Sequence, residues 1–183
     1  MSNQLCINPS ARLRYRLLGS KDANLLFELD QDPDVMRFIS NGQITPIEKI
    51  HSTFIPRLAA YTDAMKGWGM WGVFCEPDDI FSGWILVRPM YFFSNAPEYK
   101  NLELGWRFKK NCWGKGIATE AARHIMDYLH TQTGINTFSA IAVTENTASI
   151  NIMHKLGMQY VSSDLHKDPL GDMHVDKYTI NIK

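Results

Sequence analysis

Apolar residues alternate with basic ones near the start of the chain, over residues 11–18, and this two-residue period predicts a first strand. The Gly-Ser pair that follows indicates a turn and a helix N-cap, after which a helix is predicted over residues 21–30. A second short helix is predicted after Asp32, which can cap it while Pro33 fills the first helical position. The chain therefore opens with one strand and two helices.

A longer helical pattern begins at Thr45. Thr45 and Glu48 have the spacing of a capping box, in which a hydroxyl and a carboxylate satisfy two backbone N–H groups at the helix start. Apolar residues then recur along one helical face, and the helix is expected to end near residues 65–67. These residues are Ile47, Ile50, Phe54, Leu58 and Tyr61.

The pattern then changes to that of strands. Residues 68–75 and 80–87 are aromatic and β-branched runs, and the proline-containing turn at 76–79 between them predicts a hairpin. Residues 88–100 are expected to form a loop, which leads into another strand over residues 101–108.

A long amphipathic helix is predicted next, over residues 114–130. A strand at 138–143, a helix at 146–156 and two strands at 158–163 and 174–182 complete the pattern. Clustered strands followed by alternating strands and helices predict the α+β class, with helices packed on a mixed sheet. The apolar stripe of the long helix consists of Ile117, Ala118, Ala121, Ala122, Ile125, Met126 and Leu129.

Length and charge narrow the classes of function. The 183 residues contain no repeat or linker, so one domain over residues 1–183 is expected. Nineteen basic and nineteen acidic residues give no net charge, which argues against nucleic acid or an anionic membrane as a partner. Three cysteines without paired spacing, and no apolar run of about 20 residues, favour a soluble cytoplasmic protein.

The chemistry is concentrated between the strand at 101–108 and the long helix, where the chain reads KKNCWGKGIA. Gly114 and Gly116 allow a bend, and the free N–H groups of the first helical turn then form an anion site. Lys115 can add a positive charge there. The letters fit neither the Walker pattern nor the dinucleotide fingerprint, and a plain glycine turn before a helix is the alternative.

Residues 111–116, NCWGKG, resemble the pyrophosphate loop of the GNAT acetyltransferase family, although Asn111 stands where that family has Gln or Arg. Residues 146–158, NTASINIMHKLGM, are similar to the family's second cofactor segment. The segments RLRYRLL, DPDVMRFI and LELGW resemble the branch that acetylates N-terminal amines of ribosomal proteins. The resemblance covers most of the chain and implies the GNAT fold, with about seven strands in a mixed sheet flanked by helices, and acetyl-CoA as co-substrate.

The resemblance also implies which residues hold the cofactor. A backbone N–H near Phe108 is expected to stabilise the acetyl oxygen. Asn146 and Asn151 are the expected polar contacts to CoA, although Asn146 can instead cap its helix. The expected cofactor-binding residues are Phe108, Gly114, Lys115, Gly116, Ile117, Ala118, Asn146 and Asn151.

Transfer of an acetyl group to an amine requires the amine to be neutral, so a base is expected. Glu103 is the predicted base, because strand alternation places it opposite Leu102 and Leu104, on the face where the resemblance places the acceptor; a solvated or salt-bridged Glu is the alternative. In many relatives a Tyr protonates the departing thiolate, but Met153 stands at that position. Ser149 is the predicted substitute, and a hydroxyl bonded to local backbone is the alternative.

Other chemistry is less well supported. Cys112 lacks an identifiable His partner for nucleophilic catalysis. Glu120 and His124 fit a solvated helix face better than a metal site, so no metal is expected. The aromatic segment at residues 90–93, MYFF, is expected to line the acceptor pocket or to form the contact of a homodimer.

The resemblance therefore implies an N-acetyltransferase that moves the acetyl group of acetyl-CoA to a primary amine within a ternary complex. The family branch implies the N-terminal α-amine of a protein or peptide as acceptor. A small-molecule amine as acceptor and a longer acyl donor stay open. The missing Tyr leaves one further alternative, a CoA-binding sensor that has lost catalysis.

Overall fold

Seven strands form one mixed sheet in a computed structural model of the chain, which describes residues 4–183. The strand order is β1-β2-β3-β4-β5-β7-β6, and the expected α+β architecture is confirmed. The strands are β1 Leu13–Leu17, β2 Gly69–Cys75, β3 Ile80–Met90, β4 Glu98–Phe108, β5 Thr137–Ala142, β6 Gln159–His166 and β7 Met173–Asn181. The helices are α1 Ala23–Leu29, α2 Arg37–Ser40, α3 Ile47–Lys49, α4 Ile55–Tyr61, α5 Ile117–Thr133 and α6 Thr147–Lys155.

The pairing of β4 with β5 is short and parallel, whereas the other neighbours in the sheet run antiparallel. It covers only Asn101 to Glu103 on β4. Within the described residues, the rest of β4, from Leu104 to Phe108, therefore has no partner strand on that side. We call this gap the β4–β5 split.

Side chains of β4 alternate between two apolar layers. Leu102 and Leu104 are buried in the layer that also contains the apolar stripe of α5, including Ile125 and Leu129. The opposite face is covered by α1 and by the helical segment that contains Ile50. Helices therefore flank the sheet on both faces, and α5 is fixed with its first turn beside the end of β4.

One continuous helical segment runs from α3 through a π turn at Ile50–Phe54 into α4. The predicted capping box is wrong, because the N-cap is Pro46 and no side chain caps the helix there. Thr45 is buried, and its backbone is held by Asp30 and Gln31 instead. The segment also ends at Tyr61, before the predicted 65–67.

The two strands that flank the predicted loop at residues 88–100 extend into it. Strand β3 continues to Met90 and β4 begins at Glu98, because the hairpin pairing extends to these two residues. Helix α5 begins three residues later than predicted, since Gly116 is left-handed and stays outside it. Among residues 4–183, no helix combines the length and the apolarity needed to cross a bilayer.

Candidate active site

The loop between β4 and α5 is shaped by two left-handed glycines. Gly114 has φ 71° and Gly116 has φ 74°, a region that side chains with a Cβ rarely adopt. A Cβ on Gly114 would meet nothing within 4 Å, so the backbone conformation and not crowding requires glycine. The indole of Trp113 donates to the carbonyl oxygen of Phe108 at 2.9 Å and braces the loop against the end of β4.

Unpaired backbone N–H groups line the start of α5. The N–H groups of Cys112 and Trp113 are used within a 3₁₀ turn, and Glu120 makes the first helical bond to the carbonyl of Gly116. Between them, no N–H of residues 114–119 donates to an acceptor in the described part of the chain. Such a row at a helix N-terminus favours an anion.

A side-chain cluster from the N-terminal segment orients this loop. The guanidinium of Arg12 donates to the carbonyl of Lys115 at 3.1 Å and to the carboxylate of Glu120 at 2.8 Å. The hydroxyl of Ser10 donates to the other Glu120 oxygen at 2.7 Å. Because a trans peptide directs its C=O and N–H in opposite directions, holding the Lys115 carbonyl turns the N–H of Gly116 away from Arg12. We call these residues the Glu120 clamp.

The Glu120 clamp is expected to weaken in acid. Burial raises the pKa of Glu120, but hydrogen bonds from Ser10 and Arg12 outweigh it and hold the pKa below its usual value. The stabilisation is therefore present above the unfolded pKa of about 4.3 and is lost as pH falls through the folded pKa. We expect Glu120→Gln to lower the free energy of unfolding at pH 7, and the difference from wild type to shrink below pH ~4. Urea unfolding across this range tests it, and a pH-independent difference would contradict it.

Glu103 lies on the predicted face of β4, opposite Leu102 and Leu104, and forms a buried ion pair. Its side chain is directly across the strand pair from Arg88. The two Glu103 oxygens accept from Nε and Nη2 of Arg88 at 2.8 and 3.2 Å, and both residues are less than 10% exposed. Burial lowers the pKa of Arg88, but the Glu103 carboxylate more than compensates, so the net pKa is raised.

A cavity of about 180 Å³ lies on the same face of the sheet as Glu103. Three guanidinium groups line it, from Arg57, Arg88 and Arg107, and we call it the arginine cavity. Asp30 lines it as well and pairs with Arg107. Leu170, from the connection between β6 and β7, closes one side. The apolar part of the lining includes Leu26, Ile50, Phe54, Leu58, Tyr61 and Trp84.

The aromatic segment at residues 90–93 packs against Tyr61 and Arg57, two residues that line this cavity. Phe92 and Phe93 pack edge-on against Tyr61, with ring centroids 6.1 and 6.2 Å from it. The guanidinium of Arg57 lies 3.8 Å from the centroid of Phe93.

Helix α6 presents its first turn to the open side of β4. Asn146 is the N-cap, and its side-chain oxygen accepts from the N–H of Ser149 at 3.2 Å. The hydroxyl oxygen of Ser149 accepts from the indole N–H of Trp106 on β4, also at 3.2 Å. Asn151 is exposed, whereas Met153 is buried in the core. Ser149 is therefore brought beside the β4–β5 split.

Several polar residues of the site were not predicted from the sequence. Arg88 and Arg107 come to the same cavity only through the register of β3 and β4. Arg12 reaches α5 from a segment far away in the chain. The sequence does contain one signal, because Glu103 and Arg107 are four apart on one strand and must share a face. The described residues contain no cluster of three or more potential metal ligands.

Known proteins are similar to this chain in sequence or in fold. FsC-acetyl coenzyme A-N(2)-transacetylase from Aspergillus fumigatus is 29% identical over 162 residues, which cover 86% of this chain and 67% of the relative. A GNAT family acetyltransferase from Bacillus anthracis has a TM-score of 0.71 at 25% identity, covering 95% of this chain and 96% of that one. RimL, a ribosomal L7/L12 alpha-N-protein acetyltransferase in complex with coenzyme A, has a TM-score of 0.73 at 16% identity, covering 96% and 97%. The last of these shows the fold alone.

The acetyltransferase (GNAT) domain family matches residues 12–159, which is most of the chain. The matched region contains the left-handed glycine loop, the open N-terminus of α5 and the β4–β5 split. The protein therefore belongs to the GNAT acetyltransferase family and is an acetyl-CoA-dependent N-acetyltransferase.

Proposed function

We propose that the protein transfers the acetyl group of acetyl-CoA directly to the α-amine of a protein or peptide bound on the opposite face of the sheet. The observation that carries this proposal is the row of unpaired N–H groups at the start of α5, beside the β4–β5 split. The arginine cavity supports it, since it offers an acceptor site on the face that Glu103 shares. The two reactants then approach the sheet from different sides.

The residues at the loop and at α6 are the proposed cofactor site. The N–H groups from Gly114 to Ala118 would bind the pyrophosphate, and the backbone of Phe108 would hold the acetyl oxygen. Lys115 and Asn151 are exposed and free to add polar contacts. Asn146 would contribute its amide NH₂, since its oxygen already caps α6.

We propose Glu103 as the base that takes the proton from the amine. Each carboxylate oxygen keeps a second lone pair after bonding to Arg88, so an amine or a bridging water can still donate to it. Arg88 then acts as a positioning residue, because its fork fixes the plane of the carboxylate.

Ser149 is the proposed proton donor to the departing thiolate, and Ser149→Ala is expected to lower kcat about tenfold. Its oxygen accepts from Trp106, which leaves the hydroxyl hydrogen available to a thiolate in the split. We expect KM for acetyl-CoA to change little, because the hydroxyl acts late in the reaction. Steady-state kinetics separates the two constants, and a rise in KM with unchanged kcat would assign Ser149 to binding instead.

The test of the proposed function is release of CoA thiol from acetyl-CoA in the presence of a panel of amines. The panel contains peptides with free and blocked N-termini and small primary amines, and mass spectrometry locates the acetyl group. Acetylation of free peptide α-amines supports the proposal, and turnover only on small amines contradicts the acceptor class. Tight CoA binding without turnover of any amine would indicate a CoA-binding sensor. The observation that favours this second candidate is the buried Met153, which stands where many relatives have the proton-donating Tyr.

A further inference from the structure

The arginine cavity has many more hydrogen-bond donors than its acidic side chains use. Each guanidinium carries five N–H donors. Arg88 makes two bonds to Glu103, while Arg57 makes one to Asp168 and Arg107 makes one to Asp30. Within the described residues, most of the donors on these three arginines therefore lack a side-chain acceptor.

The acidic side chains that contact the arginines of the cavity, by contrast, are already paired with them. Glu103 and Asp30 are nearly fully buried, and each accepts from an arginine of the cavity. Asp168, on the connection between β6 and β7, is bound to Arg57. Glu103 keeps lone pairs for one reacting amine, but any further ammonium group of the acceptor would meet only carboxylates that are already paired with arginines. An acceptor that brings oxygen atoms would find donors.

Arg107 has a buried N–H donor without a hydrogen-bond partner in residues 4–183. Its Nη1 donates to Asp30, and its Nε is fully buried without any hydrogen-bond partner in residues 4–183. Leaving such a buried donor unpaired is unfavourable, and native proteins rarely do so. Nε and Nη2 together form the edge that binds a carboxylate side-on. The guanidinium lies over Trp84, with its carbon 5.1 Å from the ring centroid, which fixes the orientation of that edge.

Arg107 lies near the proposed site of acetyl transfer. Arg107 directly precedes Phe108 at the end of β4, where the strand borders the β4–β5 split. It shares its face of the strand with Glu103. The cavity of about 180 Å³ is below the 300–1,000 Å³ typical of drug-sized sites, which suits one amino-acid residue.

We propose that Arg107 determines acceptor specificity, by binding a carboxylate or carbonyl oxygen that lies close to the reacting amine. The acceptor is therefore an α-amino carbonyl compound, and polyamines and simple alkylamines are poor acceptors. This inference rests on the proposed function, since it describes the acceptor side of the same site. A free amino acid and a peptide N-terminus both supply the required oxygen, and the experiment distinguishes them.

The first experiment compares three amines that share one side chain: leucine, leucinamide and 3-methylbutylamine. Thiol release from acetyl-CoA is measured at equal concentrations of the neutral amine. We expect kcat/KM for leucine or leucinamide to exceed that for 3-methylbutylamine by about 100-fold. A preference for leucine indicates a free carboxylate, and one for leucinamide indicates a peptide carbonyl. Equal values for all three amines, or a preference for 3-methylbutylamine, would overturn the proposal.

The second experiment changes Arg107 to Lys, which keeps a positive charge beside Asp30 but loses the fork. We expect the preference over 3-methylbutylamine to fall below about tenfold, with KM for acetyl-CoA unchanged. Arg14→Lys is the matched control, because Arg14 pairs with Asp79 at the surface, and its selectivity should equal that of wild type. Retained selectivity in a folded Arg107→Lys variant would contradict the assignment.

A binding measurement separates this inference from the proposed function. Calorimetry compares N-acetyl-leucine with N-(3-methylbutyl)acetamide, each added to the protein with CoA present. These ligands differ only in the carboxylate. We expect N-acetyl-leucine to bind at least about tenfold more tightly, and Arg107→Lys to remove the difference. If no amine is turned over, the proposed function fails. The calorimetric comparison still tests the role of Arg107, because equal affinities of the two ligands would overturn that role.

Discussion

Gly116→Ala is expected to reduce kcat/KM for acetyl-CoA on the order of 100-fold, while Gly134→Ala leaves it unchanged. The two glycines lie at opposite ends of α5, with φ 74° and 70°. A Cβ would meet nothing within 4 Å at Gly134 and only the Arg12 guanidinium, at 3.8 Å, at Gly116. Alanine should therefore cost each position a similar amount of stability, about 1–2 kcal/mol.

The two glycines differ in the backbone N–H groups that surround them. Gly116 belongs to the row of unpaired N–H groups, and a backbone that relaxes out of the left-handed region turns its N–H and that of Ile117. A charge-assisted bond to a phosphate is worth about 1.5–3 kcal/mol, so the loss of one of these two bonds accounts for an effect on the order of 100-fold. Calorimetry with CoA and steady-state kinetics measure the effect, and urea unfolding checks that both variants are equally destabilised. Wild-type CoA affinity in Gly116→Ala would contradict an anion site at this loop.

Local patterns explain why so much of the fold could be predicted. The stripe of α5 repeats with the helical period, and all of its members except Ala118 are buried. The alternation of Leu102 and Leu104 with Glu103 is equally local, because a strand has a period of two. Features set by neighbours in the chain are therefore read correctly from the chain itself.

The errors have non-local causes. Thr45 has the spacing of a capping residue, but its backbone is tied to Asp30 and Gln31, and the helix starts after Pro46 instead. Residues 88–100 lack a clear alternation, yet their ends join β3 and β4 because the hairpin continues to pair. Tertiary contacts outweigh local propensity in both cases.

The candidate site divides in the same way. The glycine loop and Ser149 were predicted from short sequence motifs, and both lie beside the β4–β5 split. The partner of Glu103 depends on the register between two strands, which places Arg88 directly opposite. No spacing in the sequence specifies that register, so the sequence leaves a base, a solvated Glu and a salt-bridged Glu all open at this position.

Arg88→Ala is expected to lower the free energy of unfolding by about 3–5 kcal/mol, which is the largest effect on stability anticipated for a single substitution at this site. The reason is that the Glu103 carboxylate, only 5% exposed, would be left buried without its ion-pair partner. The guanidinium also packs over Tyr61 and Phe93, at 5.5 and 5.4 Å from their centroids. Urea unfolding at pH 7 measures the change. Arg14→Ala, which breaks an exposed pair, should cost at most about 1 kcal/mol.

The double variant Arg88→Met with Glu103→Leu separates charge from packing. Replacing a buried ion pair by apolar side chains of similar volume is often neutral, so we expect the double variant to be more stable than Arg88→Ala. If it is equally unstable, lost packing and not an unpaired charge explains the single variant. The activity of the double variant tests whether Glu103 is the base. If a stable protein without Glu103 still acetylates amines at the wild-type rate, Glu103 is not the base. A pair retained only for stability would be dispensable in this background, whereas a catalytic carboxylate would not.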